Sequence, residues 1–147
     1  MKVPFNDLTK HHGLIQKEID TAISNVISDS AFIRGPHVQK FEERYARLIG
    51  TEYCVSCANG TDALYIAVKA LGLKDGDEVL VPAHSWISTS EIVTQAGGVV
   101  IFCDTKFDGY TIDIEAAREK ISAKTVGIIP VHLFGQPADM DEIMRLA

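Results

Sequence analysis

Apolar and polar positions follow two rhythms along this chain. Over residues 12–28, Leu14, Ile15, Ile19, Ala22, Ile23, Val26 and Ile27 recur at helical spacing, which predicts an amphipathic helix. The stretch Ser30–Gly35 breaks that pattern. Pro36 then suits the first turn of a second helix. Its stripe is Val38, Phe41, Tyr45, Leu48 and Ile49, and Gly50 is placed to end it. From there strands and helices alternate. EYCVSCA (52–58) reads as a short strand, and DALYIAVKALG (62–72) as a helix with a glycine end. EVLVP (78–82) is an apolar strand after a Lys-Asp-Gly-Asp turn. Ser88-Thr89-Ser90-Glu91 fits a capping box, so a helix should run to about Gly97. VVIFCD (99–104) is the next strand, Asp113 caps IEAAREKIS, TVGIIPVH (125–132) is a fourth strand, and Asp139 opens a last helix.

Apolar strands joined by crossover helices predict an α/β fold. It has three layers, a mostly parallel sheet with helices on both faces. No internal repeat, low-complexity tract or linker interrupts the order, so residues 1–147 read as one domain. The last helix stops with Ile143, Met144 and Ala147 in mid-stripe. The expectation is therefore that the sequence is the front part of a longer protein. The alternative is a natural terminal helix with a frayed end.

Composition narrows the function classes. The formal charge is -6, from 20 acidic and 14 basic residues. A nucleic-acid binder is not expected, because neutralising phosphates needs a basic patch. No apolar run is long enough to span a membrane. The start, MKVPFNDL, has no signal-peptide character, so a cytoplasmic location is expected. Cys54, Cys57 and Cys103 are an odd count, which argues against a disulfide framework. Cys54 and Cys57 have CxxC spacing but fall on the expected strand, where residues three apart point to opposite faces. All three read as buried structural thiols. His11, His12, His37, His84 and His132 show no metal-ligand spacing.

Candidate chemistry gathers where strands end. At Asn59-Gly60-Thr61-Asp62 a strand gives way to a helix N-terminus, whose first N–H groups lack intrahelical partners and carry partial positive charge. Gly60 permits close approach and Thr61 adds a hydroxyl, which makes a phosphate cradle without a lysine. An ordinary helix cap is the alternative. GxGxxG and GxxxxGK are both absent. Trp86, the only tryptophan, follows the 78–82 strand and could stack on a flat ring, or serve as a core or interface residue. His84 lies nearby, with a structural role favoured. His132 and Gln136 follow the 125–132 strand. In open α/β sheets such strand ends are where ligands bind. Arg34-Gly35-Pro36-His37 is a polar loop that could touch a ligand or a partner subunit, or be a turn.

NGTDAL, PAHSWISTSE and PVHLFGQPADMDEI, in this order, resemble the DegT/DnrJ/EryC1/StrS family of sugar aminotransferases. FNDL, FIRGPHVQKFE, GDEVLVPA and FCDT are similar to the same family. The resemblance implies the N-terminal part of the large domain of the aspartate-aminotransferase fold (PLP fold type I), with pyridoxal 5'-phosphate (PLP) as cofactor. It implies that Gly60, Thr61 and Asp62 hold the PLP phosphate and that Trp86 stacks on its ring. It implies a homodimer, with L-glutamate and a nucleotide-linked keto-sugar as substrates. His132 and Gln136 fall in a motif near the family's active site. The family's Schiff-base lysine, and the acid that pairs with the pyridine nitrogen, lie in later segments beyond Ala147. No catalytic residue is therefore assigned within 1–147, and this polypeptide alone is expected to be inactive. A same-fold sugar dehydratase and a non-catalytic truncated α/β module are the competing readings.

Overall fold

The computed structural model describes residues 3–147. The chain divides into two compact units at Ser56/Cys57.

In the first unit, α1 spans Leu8–Ser28 and α2 spans Pro36–Ile49. The first helix starts earlier than the apolar stripe suggests, because Asp7 caps it by accepting from the Lys10 amide at 3.1 Å. Pro36 sits in the first turn of α2 as expected, and Gly50 ends it at φ 80°. Arg34 turns the chain with φ 46°. Gly35 passes so close to Ala31 that a Cβ would come within 2.8 Å of its carbonyl oxygen. After α2, Glu42 accepts from both the amide and the hydroxyl of Ser56, at 2.9 and 2.5 Å.

The expected strand over 52–58 does not form. Its residue types favour extended backbone, but a strand exists only through a neighbour's ladder, and none of the described residues supplies one. The expectation for its cysteines fails too. Cys57 is exposed and Cys54 half-buried; only Cys103 is buried, and all three are free thiols.

The second unit has the expected layers. Helix α3 (Gly60–Ala70) precedes β1 (Glu78–Pro82), α4 (Ser88–Gln95), β2 (Val99–Cys103), α5 (Ile114–Glu119), β3 (Thr125–Ile128) and α6 (Met140–Leu146). The sheet order is β2-β1-β3 and both pairings are parallel, Val79 opposite Val100 on one side and Gly127 on the other. The central strand alternates its faces. Leu80 joins Ile112, Ile114, Ala117 and Ile143 beneath α5 and α6. Val79 and Val81 join Ile92 and Val93 of α4, with Tyr65 and Val68 of α3 against them. A parallel sheet covered on both faces explains why β1 reads as an unbroken apolar run.

Two expectations need correction here. The strand over 125–132 stops at Ile128, short of Pro130, which has no N–H to give a ladder. The capping box at Ser88–Glu91 is also absent. The residue preceding α4 is Ile87, with no side-chain cap. Ser88 and Thr89 are buried and spend their hydroxyls elsewhere. Asp113 and Asp139 cap α5 and α6 as expected.

Candidate functional site

Three loops leave the C-terminal ends of β1, β2 and β3. The N-terminus of α3 is tied to the first of them.

Asn59 sets where α3 begins. Its Oδ1 accepts from the Asp62 amide at 2.9 Å, and its Nδ2 donates to Asp62 Oδ2 at 3.0 Å. Its carbonyl takes the Ala63 amide at 3.1 Å. Of the four amides that a helix start leaves over, those of Asn59, Gly60 and Thr61 have no partner among the described residues, and the two on the helix itself, Gly60 and Thr61, are the ones placed for a ligand. Gly60 is exposed, and a Cβ built on it would meet nothing within 4 Å. That space lies where the helix dipole favours an anion. Asp62, expected among the phosphate-holding residues, has both its amide and its carboxylate engaged by the Asn59 side chain in this structure.

Thr61 joins this turn to the next loop. Its Oγ1 lies 2.7 Å from Oγ of Ser88, the first residue of α4. Trp86 is two residues upstream of Ser88, so this bond brings Gly60–Asp62 and the Trp86 loop into one region. The indole is 74 % exposed. It lines a cavity of about 140 Å³ with Pro82, Ser85 and Phe102. A ring this exposed contributes little to the core and is free to stack. The loop beneath it is pinned by Ser85 Oγ and Thr89 Oγ1 at 2.8 Å.

The third strand end is organised by its own polar group. His132 Nδ1 accepts from the Ala138 amide at 3.0 Å, which closes the loop over residues 132–138. His132 is thus a loop brace, with its proton on Nε2. The Gln136 side-chain amide lies over Gly109. Within this loop Phe134 adopts φ 55°, an unfavourable conformation for a bulky residue. Its ring meets Tyr110 edge-on with centroids 5.2 Å apart, and His84 closes the trio at 5.9 and 6.3 Å. His84 is exposed and meets both rings edge-on. Tyr110 and Phe134 were not legible as site neighbours, because three loops far apart in sequence bring them together.

Among the described residues no cluster of His, Cys, Asp and Glu could hold a metal. Among the described residues no lysine side chain is hydrogen-bonded to the α3 turn. Lys69 is in the last turn of α3, roughly 12 Å along the axis from Thr61 at 1.5 Å per residue. Lys120 Nζ donates to the Phe102 carbonyl at 2.5 Å. The donors present are two amides and a hydroxyl beside an exposed indole. They suit the phosphate and ring of a flat phosphorylated cofactor such as PLP, and they offer nothing to its carbonyl end.

The chain is 39% identical over 145 residues to a UDP-2-acetamido-2-deoxy-3-oxo-D-glucuronate aminotransferase of Pseudomonas aeruginosa, covering 99% of this chain and 40% of that protein. Its fold matches the crystal structure of S. venezuelae DesV with TM-score 0.94 and 35% identity, over 99% of this chain and 39% of the other. The E. coli GDP-4-keto-6-deoxy-D-mannose-3-dehydratase, solved with bound hydrated PLP, matches with TM-score 0.80 and 34% identity, over 86% and 34%. The parallel three-layer unit is thus the fold of PLP fold type I sugar enzymes, and the chain spans about 40% of the length of the curated relative. The profile of the DegT/DnrJ/EryC1/StrS aminotransferase family matches residues 14–147, and with the motifs and fold in agreement the chain belongs to that family.

Proposed function

We propose that this chain is the N-terminal part of the PLP-binding large domain of a sugar aminotransferase, with the remainder of that domain and a smaller C-terminal domain beyond residue 147. The observation that carries this reading is the open N-terminus of α3. There the Gly60 and Thr61 amides stand at the helix start, and the neighbouring Thr61 hydroxyl is bonded to Ser88, two residues after Trp86, in a chain of this family.

In this reading the Gly60 and Thr61 amides and the Thr61 hydroxyl bind the cofactor phosphate, without a cationic side chain. Asn59 and Asp62 hold those amides in place. Trp86 covers one face of the cofactor ring and excludes water from it. PLP, when bound, supplies a ring that takes up the electron pair released on removal of an amino acid α-proton. The lysine that holds the cofactor and moves that proton comes from the remainder of the protein. Residues 1–147 alone do not turn over.

The proposed donor is L-glutamate and the proposed acceptor a nucleotide-linked keto-sugar. The protein is proposed to act in the cytoplasm as a homodimer; no described helix is long and apolar enough to cross a membrane. The test is the full-length protein with PLP, glutamate and a nucleotide-linked keto-sugar. Formation of 2-oxoglutarate and an amino-sugar is expected. The likeness to a PLP-binding dehydratase supports a second reading, in which the sugar loses a hydroxyl and gains no nitrogen. That product would overturn the first reading.

A further inference from the structure

Ser88 carries a buried hydroxyl whose only partner among the described residues is a residue of the proposed phosphate site. It is 4% exposed, at the start of α4, and its Oγ is 2.7 Å from Thr61 Oγ1. Thr61 is only partly covered and stands at the open turn of α3.

Each hydroxyl has one proton. The bond between them uses one, and the other must find an acceptor. If Thr61 donates, the Ser88 proton is left buried with no acceptor, which is the costly arrangement for a polar group out of water. If Ser88 donates, the spare proton is on Thr61, at the turn where solvent or an anion can accept it. Burial therefore decides the direction that the oxygen positions alone leave open.

We propose that Ser88 is a positioning residue for the phosphate site: by donating to Thr61 Oγ1 it leaves the Thr61 hydroxyl proton for a phosphate oxygen. The bond also joins the first turns of α3 and α4, so it fixes the Thr61 rotamer that aims this proton. This rests on the function proposed above, but it concerns one residue of the cradle and can fail without it.

The test compares PLP with pyridoxal, which has the same ring and no phosphate, in titrations of the full-length protein. The variants are Ser88→Ala, Thr61→Val and the double substitution. Alanine at the start of α4 is helix-compatible, and Thr61 can turn to water when its partner is lost, so folding should survive; circular dichroism of each variant checks this. Ser88→Ala should weaken PLP about fivefold, the size of one net hydrogen bond, and leave pyridoxal within about twofold. The double variant should bind PLP no more weakly than Thr61→Val, because Ser88 acts through that hydroxyl. Additive losses, or equal losses for PLP and pyridoxal, would overturn the assignment. Wild-type protein that prefers PLP to pyridoxal, with the preference intact in Ser88→Ala, would sink the role of Ser88 alone. Wild-type protein with no preference would remove the phosphate cradle itself.

Discussion

Replacing Asn59 tests both halves of the cradle, its geometry and its charge. Asn59→Ala removes the acceptor for the Asp62 amide at 2.9 Å and the donor to Asp62 Oδ2 at 3.0 Å. The carbonyl bond to Ala63 survives. Loss of an N-cap side chain costs about 1 kcal/mol, within roughly 0.5–2. The exposed Asn59–Asp62 side-chain bond adds little to that. Asn59→Ser keeps a cap acceptor and should recover most of the loss. Asn59→Asp keeps the cap too, but sets a second carboxylate against Asp62 and next to the phosphate. Two like charges roughly 4 Å apart in water repel by about 1 kcal/mol, so PLP should bind about fivefold more weakly at low salt. That deficit should shrink with added salt, as screening lengths fall. Urea unfolding midpoints and PLP titrations at two ionic strengths read the two effects separately. Full stability in Asn59→Ala, or salt-independent PLP binding equal to wild type in Asn59→Asp, would refute this description of the turn.

Other outcomes follow from the packing. Trp86→Ala should weaken PLP several-fold with little change in stability, since the indole is 74 % exposed; a large loss of stability would make it a core residue. Leu80→Ala, at a side chain 2% exposed on the central strand, should cost about 2–5 kcal/mol by urea unfolding. Gly98→Ala should cost about 1–3 kcal/mol, because a Cβ there would lie 3.2 Å from the Asp77 carbonyl oxygen and 2.7 Å from Leu73. Among the cysteines, peptide mapping after brief alkylation near neutral pH should show Cys57 modified first and Cys103 last. Burial pushes the Cys103 thiol up, partly offset by Lys120. Its contribution to stability is therefore complete below the ordinary thiol value and is lost as pH rises from there through the raised value of the folded state.

Most of the second unit was readable from residue pattern. Glu78–Pro82 is apolar because both its faces are covered, and Asp113 and Asp139 announce their helices by capping them. Those signals act within a few residues. The failures share the opposite property. Whether 52–58 becomes a strand depends on a neighbour, which pattern alone does not contain. Ser88 has the residues of a capping box, yet its hydroxyl goes to Thr61, 27 positions away. The site divides the same way. Gly60, Thr61 and Asp62 are contiguous and could be picked out as a turn. The bond that binds Thr61 to α4, and the meeting of His84 with Tyr110 and Phe134, exist only once the chain has folded.

The central claim is a division of labour: residues 1–147 supply the phosphate and ring contacts, and a later segment supplies the reactive lysine. Borohydride reduction of the full-length protein loaded with PLP, followed by peptide mass spectrometry, tests it directly. The expected result is one stoichiometric pyridoxyl adduct on a lysine beyond residue 147. A single stoichiometric adduct on Lys69, Lys74, Lys106, Lys120 or Lys124 would contradict it.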